Sequence, residues 1–454
     1  MSDKVKIGLE IHGYVLTNEK LFCRCKSEHG LKYNKPNTNI CPTCTAQPGA
    51  KPLLPNKTAV DKAIQIALIL NTKINNKLVW QRKHYTWPDL PKGYQNTISG
   101  THAIPLGEHG EFLGIRITEA HLEEDPASWN PKTGEIDYNR SGIPLIEIVT
   151  EPNFTNSEQV IEWLKQLVIT LGYIKAIDKK MGIKADVNVS TGGERVEIKN
   201  VNSLKNIKTA IEFEIQRQKK EKVTTQETRA FDENSGKTIR MRTKEQAQDY
   251  RFISEPDLPV INIQESRVTK IKSGLPETPH TKLERLIKKH GIGEKYAEVL
   301  TQKLEVVEFF EKIIKEINPK LAVPWVTIEL LSVLNYNKKE LDEVEISPEH
   351  FIELLKLIEN KKITEQKAQE ILRSWKEKSS SPKQDAEKGS KISGKQEITK
   401  FVEQVIKQNH QAVKDYKNGH QQTLNFLIGQ VMNLSKKRAD YKTTKEILEK
   451  MFKN

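Results

Sequence analysis

The sequence has no long apolar run, few aromatic residues and few cysteines. Its 454 residues are 36% hydrophobic and 6% aromatic, and no stretch approaches the ~20 apolar residues of a membrane span. The first residues lead into a strand pattern without a signal-peptide core, so we expect a cytosolic protein. Disulfides are rare in that compartment, so the four cysteines need another explanation. These absences exclude a membrane-spanning protein and a fold built on disulfides.

Charge is plentiful and unbalanced. Charged residues make up 29% of the chain, with a net charge of +13. An excess of this size favours polyanionic partners such as nucleic acid. A lysine-rich, solvated surface is the alternative, and charge alone does not separate the two.

The first 275 residues mix strand and helix patterns without regular alternation. This mixture predicts an α+β domain with a mixed or antiparallel sheet rather than a doubly wound fold. The clearest predicted strands are Val5–His12, Ile115–Leu122, Pro144–Val149, Ala185–Ser190 and Arg195–Lys199, and the clearest helices are Ala59–Leu70 and Ser157–Leu171.

The remainder of the sequence is predicted to be helical. Residues 276–375 carry apolar stripes at helical spacing, and Ser347 before Pro348 is a typical helix start. Residues 376–396 have no apolar periodicity and contain a Ser-Ser-Ser-Pro segment, which predicts a flexible linker. Residues 397–454 form a small all-α tail, with Phe401, Val405, Phe426, Leu427 and Val431 as its predicted core.

All four cysteines fall in two close pairs, Cys23 with Cys25 and Cys41 with Cys44. Zinc prefers four thiolates in a tetrahedron, and two such pairs supply them. A site closed by four protein ligands is structural rather than catalytic. The alternative is four ordinary core thiols, which gives no reason for the entire complement to cluster. We therefore predict structural Zn²⁺ bound by this quartet, in an insertion near residues 23–44.

Several predicted strands carry acidic residues or a histidine among small or apolar residues. In Val5–His12 the apolar residues alternate, so Glu10 and His12 project from the opposite face, ~6–7 Å apart along the strand. This pair suits a divalent cation, although a solvated outer face is the alternative. Glu147 lies inside an apolar run, where an unpaired carboxylate is costly and should meet a cation.

Two further segments extend this pattern. His121–Asp125 places three acids at the end of an apolar strand, and Trp87–Gln95 is a proline-set loop that carries an acid, a lysine and two aromatics. Carboxylates with a histidine are a suitable Mg²⁺ set for phosphoryl transfer. Ser235–Thr238 resembles the end of a Walker A loop, but Phe231 stands where glycine is required. We predict a hairpin turn there instead.

Several long sequence motifs in this chain closely resemble motifs of the B subunits of tRNA-dependent amidotransferases. The resemblance runs in order through Ile7–His12, Leu21–Cys23, Asn37–Pro42, Trp87–Gln95, His121–Asp125, Asp137–Glu147, Val196–Ser203, Gln226–Arg229, Asp249–Arg251, Val413–Gly419 and Phe426–Met432. It therefore covers nearly the whole chain. The sequence departs from the family at Thr86, where an aromatic residue is usual, and at Lys180–Lys184, where the family has an acidic, arginine-containing stretch.

The resemblance implies an activity and its partners. Proteins of this family use ATP and Mg²⁺ to phosphorylate the side-chain carboxylate of misacylated Asp-tRNA(Asn) or Glu-tRNA(Gln), and ammonia then displaces phosphate. The ammonia comes from the amidase (A) subunit, and the small (C) subunit completes a heterotrimer. The cognate aminoacyl-tRNA synthetase is a further candidate partner. The sequence agrees, because it has no Gly/Ser-rich amidase signature and no cysteine outside the quartet.

The resemblance also implies residue roles. The family's metal pattern falls on Glu10, His12, Glu124 and Glu147, and the phosphate-side lysine is Lys92. Residues 1–275 become a kinase-bearing cradle, and the tail a tRNA-binding module. Lys436, Lys437 and Arg438, just beyond an apolar helical stretch of that tail, are predicted to reach tRNA phosphates.

Two other functions would account for part of this sequence. The related E subunit carries a large insertion before the helical domain, and Val260 to Pro276 is too short to hold it. A non-catalytic, zinc-containing tRNA-binding scaffold explains the charge and the cysteines but not Glu147 inside an apolar strand.

Overall fold

The computed structural model describes residues 4–27, 35–178, 182–243, 251–388, 395–417, 420, 422–435 and 439–453. The chain forms two compact units. The first runs to Arg285 and includes Thr301–Leu304, and the second holds Leu286–Leu300 and continues from Glu305.

The first unit is built on one large mixed sheet. Its strands and two small β-ribbons are β1 (Lys6–Tyr14), β2 (Lys73–Ile74), β3 (Lys77–Leu78), β4 (Gln81–His84), β5 (Gln95–Thr97), β6 (Gly107–Phe112), β7 (Ile115–Glu124), β8 (Ser128–Trp129), β9 (Ile136–Asp137), β10 (Pro144–Thr150), β11 (Ile183–Ser190), β12 (Val196–Asn202), β13 (Glu227–Asp232), β14 (Lys237–Thr243), β15 (Arg251–Ser254) and β16 (Ile261–Asn262). The order is β14-β13-β12-β11-β1-β10-β7-β5-β4-β15, with β6 also on β7 and β2 on β6. Within that path β12 and β13 are parallel and the other pairs are antiparallel.

One face of this sheet is covered by helices. They are α1 (Lys57–Ile69), α2 (Ser157–Tyr173) and α3 (Leu204–Lys220), followed by α4 (Glu265–Ser273). Asn56 and Asn156 begin α1 and α2 by accepting hydrogen bonds from the first free backbone N–H groups. Ile7, Leu9 and Ile11 are buried among these helices. The alternating pattern of β1 therefore leaves the other face of the sheet to Glu10 and His12.

The predicted hairpin turn is confirmed. β13 and β14 pair with Asp232 opposite Lys237, and Gly236 takes a φ of +66° in the turn between them. Glycine adopts this left-handed backbone without a Cβ clash. The Ser235–Thr238 segment is thus not a phosphate-binding loop.

The second unit is helical, as predicted. Beginning with a helix shared between the two units, its elements are α5 (Pro279–His290), α6 (Glu294–Thr301), α7 (Leu304–Ile313), α8 (Pro319–Pro324), a π-helical turn at Trp325–Leu330, α9 (Leu331–Tyr336), a 3₁₀ turn at Leu341–Glu343, α10 (Pro348–Glu359), α11 (Glu365–Ser374), α12 (Pro382–Lys388), α13 (Lys395–Gln408), α14 (His410–Lys417), α15 (Gln422–Leu434) and α16 (Tyr441–Lys453). Ser347 caps α10 by accepting from the His350 N–H, with Pro348 in the first turn. The predicted α+β region followed by helices is confirmed.

The first part of the predicted linker is packed rather than extended. Ser379 is 6% exposed, and its hydroxyl accepts a hydrogen bond from the Ser347 N–H and lies 2.8 Å from His350 Nδ1. Glu345 and Lys378 form a β-bridge, and α12 follows. The polar sequence gave no sign of this packing, because backbone and side-chain hydrogen bonds rather than an apolar stripe hold the segment.

The tail buries an apolar stripe at helical spacing. Its core consists of Ile398, Val402, Val405, Leu424, Leu427, Ile428, Val431, Ala439 and Leu448. Phe401 packs at its edge, but the prediction for Phe426 is wrong, since that side chain is 49% exposed. Leu424, Leu427, Ile428 and Val431 define one face of α15, and Phe426 lies off it. Within the described chain, no helix is long and apolar enough to span a membrane.

Candidate metal and phosphoryl-transfer sites

The four cysteines meet at one point. The Sγ atoms of Cys23, Cys25, Cys41 and Cys44 all lie within 4.8 Å of one another, and those of Cys41 and Cys44 are 3.8 Å apart. A tetrahedron with metal–sulfur bonds of about 2.3 Å has sulfur–sulfur edges of about 3.8 Å. The Cys41 N–H also donates to the Cys44 sulfur. This arrangement could hold a metal ion.

The thiols already differ in acidity. A hydrogen bond from Cys23 lowers the pKa of Cys44 to about 5, with help from the Lys20 ammonium, whereas burial raises the pKa of Cys25 to about 11. The same hydrogen bond raises the pKa of Cys23. One thiolate is thus favoured at neutral pH, which is the ligand form a metal needs.

The cysteine cluster is attached to the chain segment that leads into β10. Lys20 is 1% exposed, and its ammonium donates to the carbonyls of Asn39 and Tyr138 at 3.2 and 3.3 Å. The Ser141 hydroxyl donates to the carbonyl of Cys44 at 2.8 Å. A metal here would therefore fix residues 138–141, and with them the start of the strand that carries Glu147.

Glu147 lies between two histidines in one cross-strand row. His12 on β1 and His121 on β7 are its register partners on either side. The Nε2 atoms of both histidines are 3.2 Å from the same Glu147 oxygen, Oε2, and His12 Nε2 is also 3.6 Å from Glu123. The sequence predicted a cation beside Glu147, and the protonated imidazoles of His12 and His121 supply it. His12, Glu123 and Glu147 also offer ligand atoms close enough to share a metal ion.

The charges in this row stabilise one another. Burial lowers the pKa of His12 and His121, but the Glu147 carboxylate, together with Glu123 at His12 and Glu119 at His121, outweighs it and raises these pKa values to about 9 and about 10. Burial raises the pKa of Glu147, yet the two histidines hold it well below its ordinary value. Glu123 is different: burial and the Glu147 charge both raise its pKa. The row therefore combines two cations with one firmly ionised carboxylate.

A second carboxylate cluster adjoins the row. Glu10, Asp186 and Glu197 bring their oxygens within 4.8 Å of one another. Lys199 Nζ lies 2.7 Å from Asp186 and 2.8 Å from Glu197, and the Asn188 amide donates to Glu10. The Asn188 amide oxygen is buried without a hydrogen-bond partner. We call the two clusters together the acidic face, which comprises Glu10, His12, His121, Glu123, Glu147, Asp186 and Glu197.

Glu124 does not join the acidic face. Its carboxylate pairs with the Lys92 ammonium and accepts from the Asn96 N–H at 2.8 Å. Lys92 also lies over the ring of Tyr94, 5.1 Å from its centroid. The predicted set of Glu10, His12, Glu124 and Glu147 is thus divided: His12 and Glu147 meet, Glu10 belongs to the adjoining cluster, and Glu124 with Lys92 lies apart from both.

Asp125, the last acid of its segment, is also engaged. It is buried and pairs with Arg140 Nε at 3.1 Å, and it accepts from the Tyr14 hydroxyl at 3.1 Å. The proline-set loop is tied nearby, since the Ala127 N–H donates to the Asp89 carbonyl at 2.8 Å. The Arg140 charge thus connects the segment behind the cysteine cluster to the end of β7.

Sequence patterns did not predict four individual residues of the site, which are Glu123, Asp186, Glu197 and His121. Strand parity contains the signal for two of them, because Ala120 and Leu122 face the core and Glu123 must therefore share a face with His121. Asp186 and Glu197 required the pairing of β1 with β11 and of β11 with β12, which strand patterns alone do not give. Lys436, Lys437 and Arg438 lie outside the described residues.

Comparison with known proteins agrees with this architecture. The family profile described as the GatB/GatE catalytic domain matches residues 5–269, and that described as the GatB domain matches residues 308–452. Proteins named as the B subunit of aspartyl/glutamyl-tRNA(Asn/Gln) amidotransferase are similar over 98% of this chain. They include those of Methanothermobacter thermautotrophicus (43% identical, 99% of that protein), Methanopyrus kandleri (42%, 98%) and Methanocaldococcus jannaschii (44%, 97%). The resemblance in the sequence is confirmed, and the chain belongs to the family of these amidotransferase B subunits.

Proposed function

We propose that this chain phosphorylates the side-chain carboxylate of misacylated Asp-tRNA(Asn) or Glu-tRNA(Gln) with ATP and then completes its amidation. The observation that carries the proposal is the row of His12, Glu147 and His121 beside further carboxylates on one sheet face. Histidine and carboxylate ligands on neighbouring strands suit a divalent cation. The family relationship supplies the substrate class, since its members are named for these tRNAs.

The reaction has two balanced steps. A carboxylate oxygen of the esterified amino acid bonds to the γ-phosphorus of ATP, and ADP leaves with the electron pair of the broken P–O bond. Ammonia then attacks the activated carbonyl carbon, phosphate leaves, and a proton is released. The ammonia would come from a glutamine-hydrolysing amidase in a complex with the small (C) subunit, because every cysteine of this chain lies in the cysteine cluster.

Different residues of the acidic face would have different roles in these two steps. Glu147, Glu123 and His12 would hold Mg²⁺, His12 through Nε2 once that nitrogen has lost its proton, with Glu10 and Asp186 adjacent to the ion. Bound Mg²⁺ would neutralise charge on the ATP phosphates. His121 would orient Glu147 from the opposite side of the row to His12, since the Nε2 atoms of both histidines lie 3.2 Å from the same Glu147 oxygen. Lys92 and Glu124 hold the end of β7 beside the loop of residues 87–95.

Zinc and tRNA are assigned to other parts of the chain. The cysteine cluster would bind structural Zn²⁺, supported by the 3.8 Å separation of the Cys41 and Cys44 sulfurs. The tail, residues 397–454, holds eleven basic and six acidic residues and so carries +5. Its Lys436, Lys437 and Arg438 would contact tRNA phosphates while the cradle, residues 1–275, receives the acceptor end.

The experiment is a phosphoryl-transfer assay on the complex reconstituted with its amidase and its small partner protein. Misacylated tRNA and γ-labelled ATP are supplied without glutamine, and labelled aminoacyl-tRNA is isolated. We expect label on the misacylated tRNA and none on correctly charged Asp-tRNA(Asp). A complex that binds the tRNA but transfers no label, and releases no ADP on tRNA addition, would favour the scaffold function instead.

A further inference from the structure

One basic residue extends the catalytic row across a fourth strand. Lys184 on β11 is the register partner of His12, which is the partner of Glu147, which is the partner of His121. Direct cross-strand partners project from the same sheet face, with Cβ atoms ~5 Å apart. The side chain of Lys184 therefore begins on the acidic face, next to His12.

Lys184 differs from three other basic side chains near the acidic face. Those three are each held at close range by acids: Lys92 by Glu124, Arg140 by Asp125, and Lys199 by Asp186 and Glu197. In the described part of the chain, the Lys184 ammonium has neither an ion pair nor a hydrogen bond. The acids nearest to it electrostatically are Asp125 and Asp186, and Arg140 opposes them. Lys184 thus remains available to a ligand.

Leaving the Lys184 ammonium without a partner costs free energy because of where its side chain lies. Its side chain is partly buried, so its ammonium has lost much of its hydration without gaining a fixed partner. An anion would offset that cost. The neighbouring carboxylates repel a free anion, but they attract the divalent cation of an anion that is bound to a metal. The triphosphate of a nucleotide bound to its metal is such an anion.

We propose that Lys184 is a catalytic residue that contacts the transferring phosphoryl group. This rests on the proposed function and names the protein cation for its first step. Lys184 donates hydrogen bonds to the equatorial oxygens of the γ-phosphate while the substrate carboxylate bonds to phosphorus and ADP departs. It keeps its own proton, and stays on the phosphoryl group until ammonia displaces phosphate from the carbonyl carbon. Fixed donors of this kind stabilise the charge that is spread over those oxygens in the transition state.

Lys92, the lysine expected at the phosphate from the family resemblance, is placed differently. Its ammonium already neutralises Glu124 and rests over the Tyr94 ring. A phosphate there would have to compete with a buried carboxylate, whereas at Lys184 it would meet an unpaired cation. We therefore assign Lys92 to the support of Glu124 and Lys184 to the phosphoryl group.

The test compares three substitutions in the full reconstituted complex. Lys184→Met removes the charge at similar length, Lys184→Arg keeps a cation, and Lys205→Met is the control, since Lys205 is exposed on α3. Single-turnover transfer of the γ-phosphate to misacylated tRNA should fall roughly 100-fold or more in Lys184→Met. It should stay within about tenfold of wild type in Lys184→Arg, because the charge remains. Lys205→Met should match wild type, and glutamine hydrolysis by the partner amidase should be equal in all complexes.

Each outcome decides one claim. Transfer by Lys184→Met at the control rate overturns the role of Lys184 and leaves the proposed function standing. No transfer by wild type overturns the proposed function, and the role of Lys184 with it. If Lys184→Met lowers the unfolding temperature or loses its partner proteins, Lys184→Gln is measured in its place. An unimpaired Lys184→Gln complex would again overturn the assignment.

Discussion

The cysteine cluster and the acidic face are both sets of metal-ligating side chains, but they reach their geometry in different ways. The cysteines come from two short segments within 22 residues, and their sulfurs face one another directly. The acidic face draws on β1, β7, β10, β11 and β12, and its carboxylates are held by His12, His121 and Lys199. The first is a closed site set by local spacing. The second is a set of largely buried acids balanced by internal cations and drawn from five strands of the sheet.

The largest expected effect is a difference between substitutions of two glutamates. Glu147 belongs to the acidic face, and Glu124 lies outside it. Glu147→Gln should lower phosphoryl transfer by roughly 10²- to 10³-fold and weaken Mn²⁺ binding, because it removes the carboxylate at the centre of the row. Glu124→Gln should leave Mn²⁺ binding unchanged and lower thermal stability, because it leaves the half-buried Lys92 charge unpaired. Single-turnover assays, Mn²⁺ titrations by electron paramagnetic resonance and thermal unfolding measure the three quantities. Weaker Mn²⁺ binding in Glu124→Gln alone would place the metal at the end of β7.

The two sites show how much of the structure could be predicted from the sequence. The α+β class, the hairpin at Gly236 and the cap at Ser347 follow from local patterns, and so does the meeting of the four cysteines. The importance of Glu147 follows from one acid in an apolar run. Which acid of His121–Asp125 shares a face with it depends on strand parity and register, and these place Glu123 rather than the predicted Glu124 on the face of His121. Asp186 and Lys184 enter only through pairing with β1, which joins residues some 170 positions apart.

The next effect concerns the closed site. Cys41→Ser should release zinc and destabilise the first unit, since a structural zinc contributes on the order of 10 kcal/mol of apparent binding energy. Metal analysis and urea unfolding of the purified chain test this, with Ser266→Ala, an exposed change on α4, as a variant outside the cluster. Purified wild-type protein without zinc, and with four thiols that react freely in the native state, would exclude the metal site.

A smaller effect follows from the histidine pKa values. In Mg²⁺-free protein the raised pKa values of His12 and His121 mean that their pairing with Glu147 stabilises the fold fully below pH ~6.5. That contribution is lost as pH rises through about 9 and about 10. The unfolding temperature should therefore fall more steeply between pH 7 and pH 10 in wild type than in Glu147→Gln, with the exposed Glu162→Gln matching wild type. Parallel curves for all three proteins would mean that the histidines are neutral in the fold.

The smallest effect on chemistry is expected at the tail. Truncation after Lys388 keeps the packed segment around Ser379 and removes the tail core. The truncated complex should still transfer phosphate at saturating tRNA, with weaker tRNA binding and a shallower salt dependence. Titrations at several salt concentrations measure this. Substituting Lys436, Lys437 and Arg438 by Gln should reproduce part of the change, roughly one unit of slope for each lost phosphate contact. Equal affinity and slope for truncated and full-length complexes would remove the tail from tRNA recognition.

The most direct test of the central claim is the position of the catalytic cation. Crystals of the complex soaked with Mn²⁺ and a non-hydrolysable ATP analogue are measured at the manganese absorption edge. We expect an anomalous peak within coordination distance of Glu147 and Glu123 oxygens, with the γ-phosphate near Lys184. A peak at Glu124 and Lys92, or a nucleotide bound elsewhere while Glu147 stays between its two histidines, would contradict it.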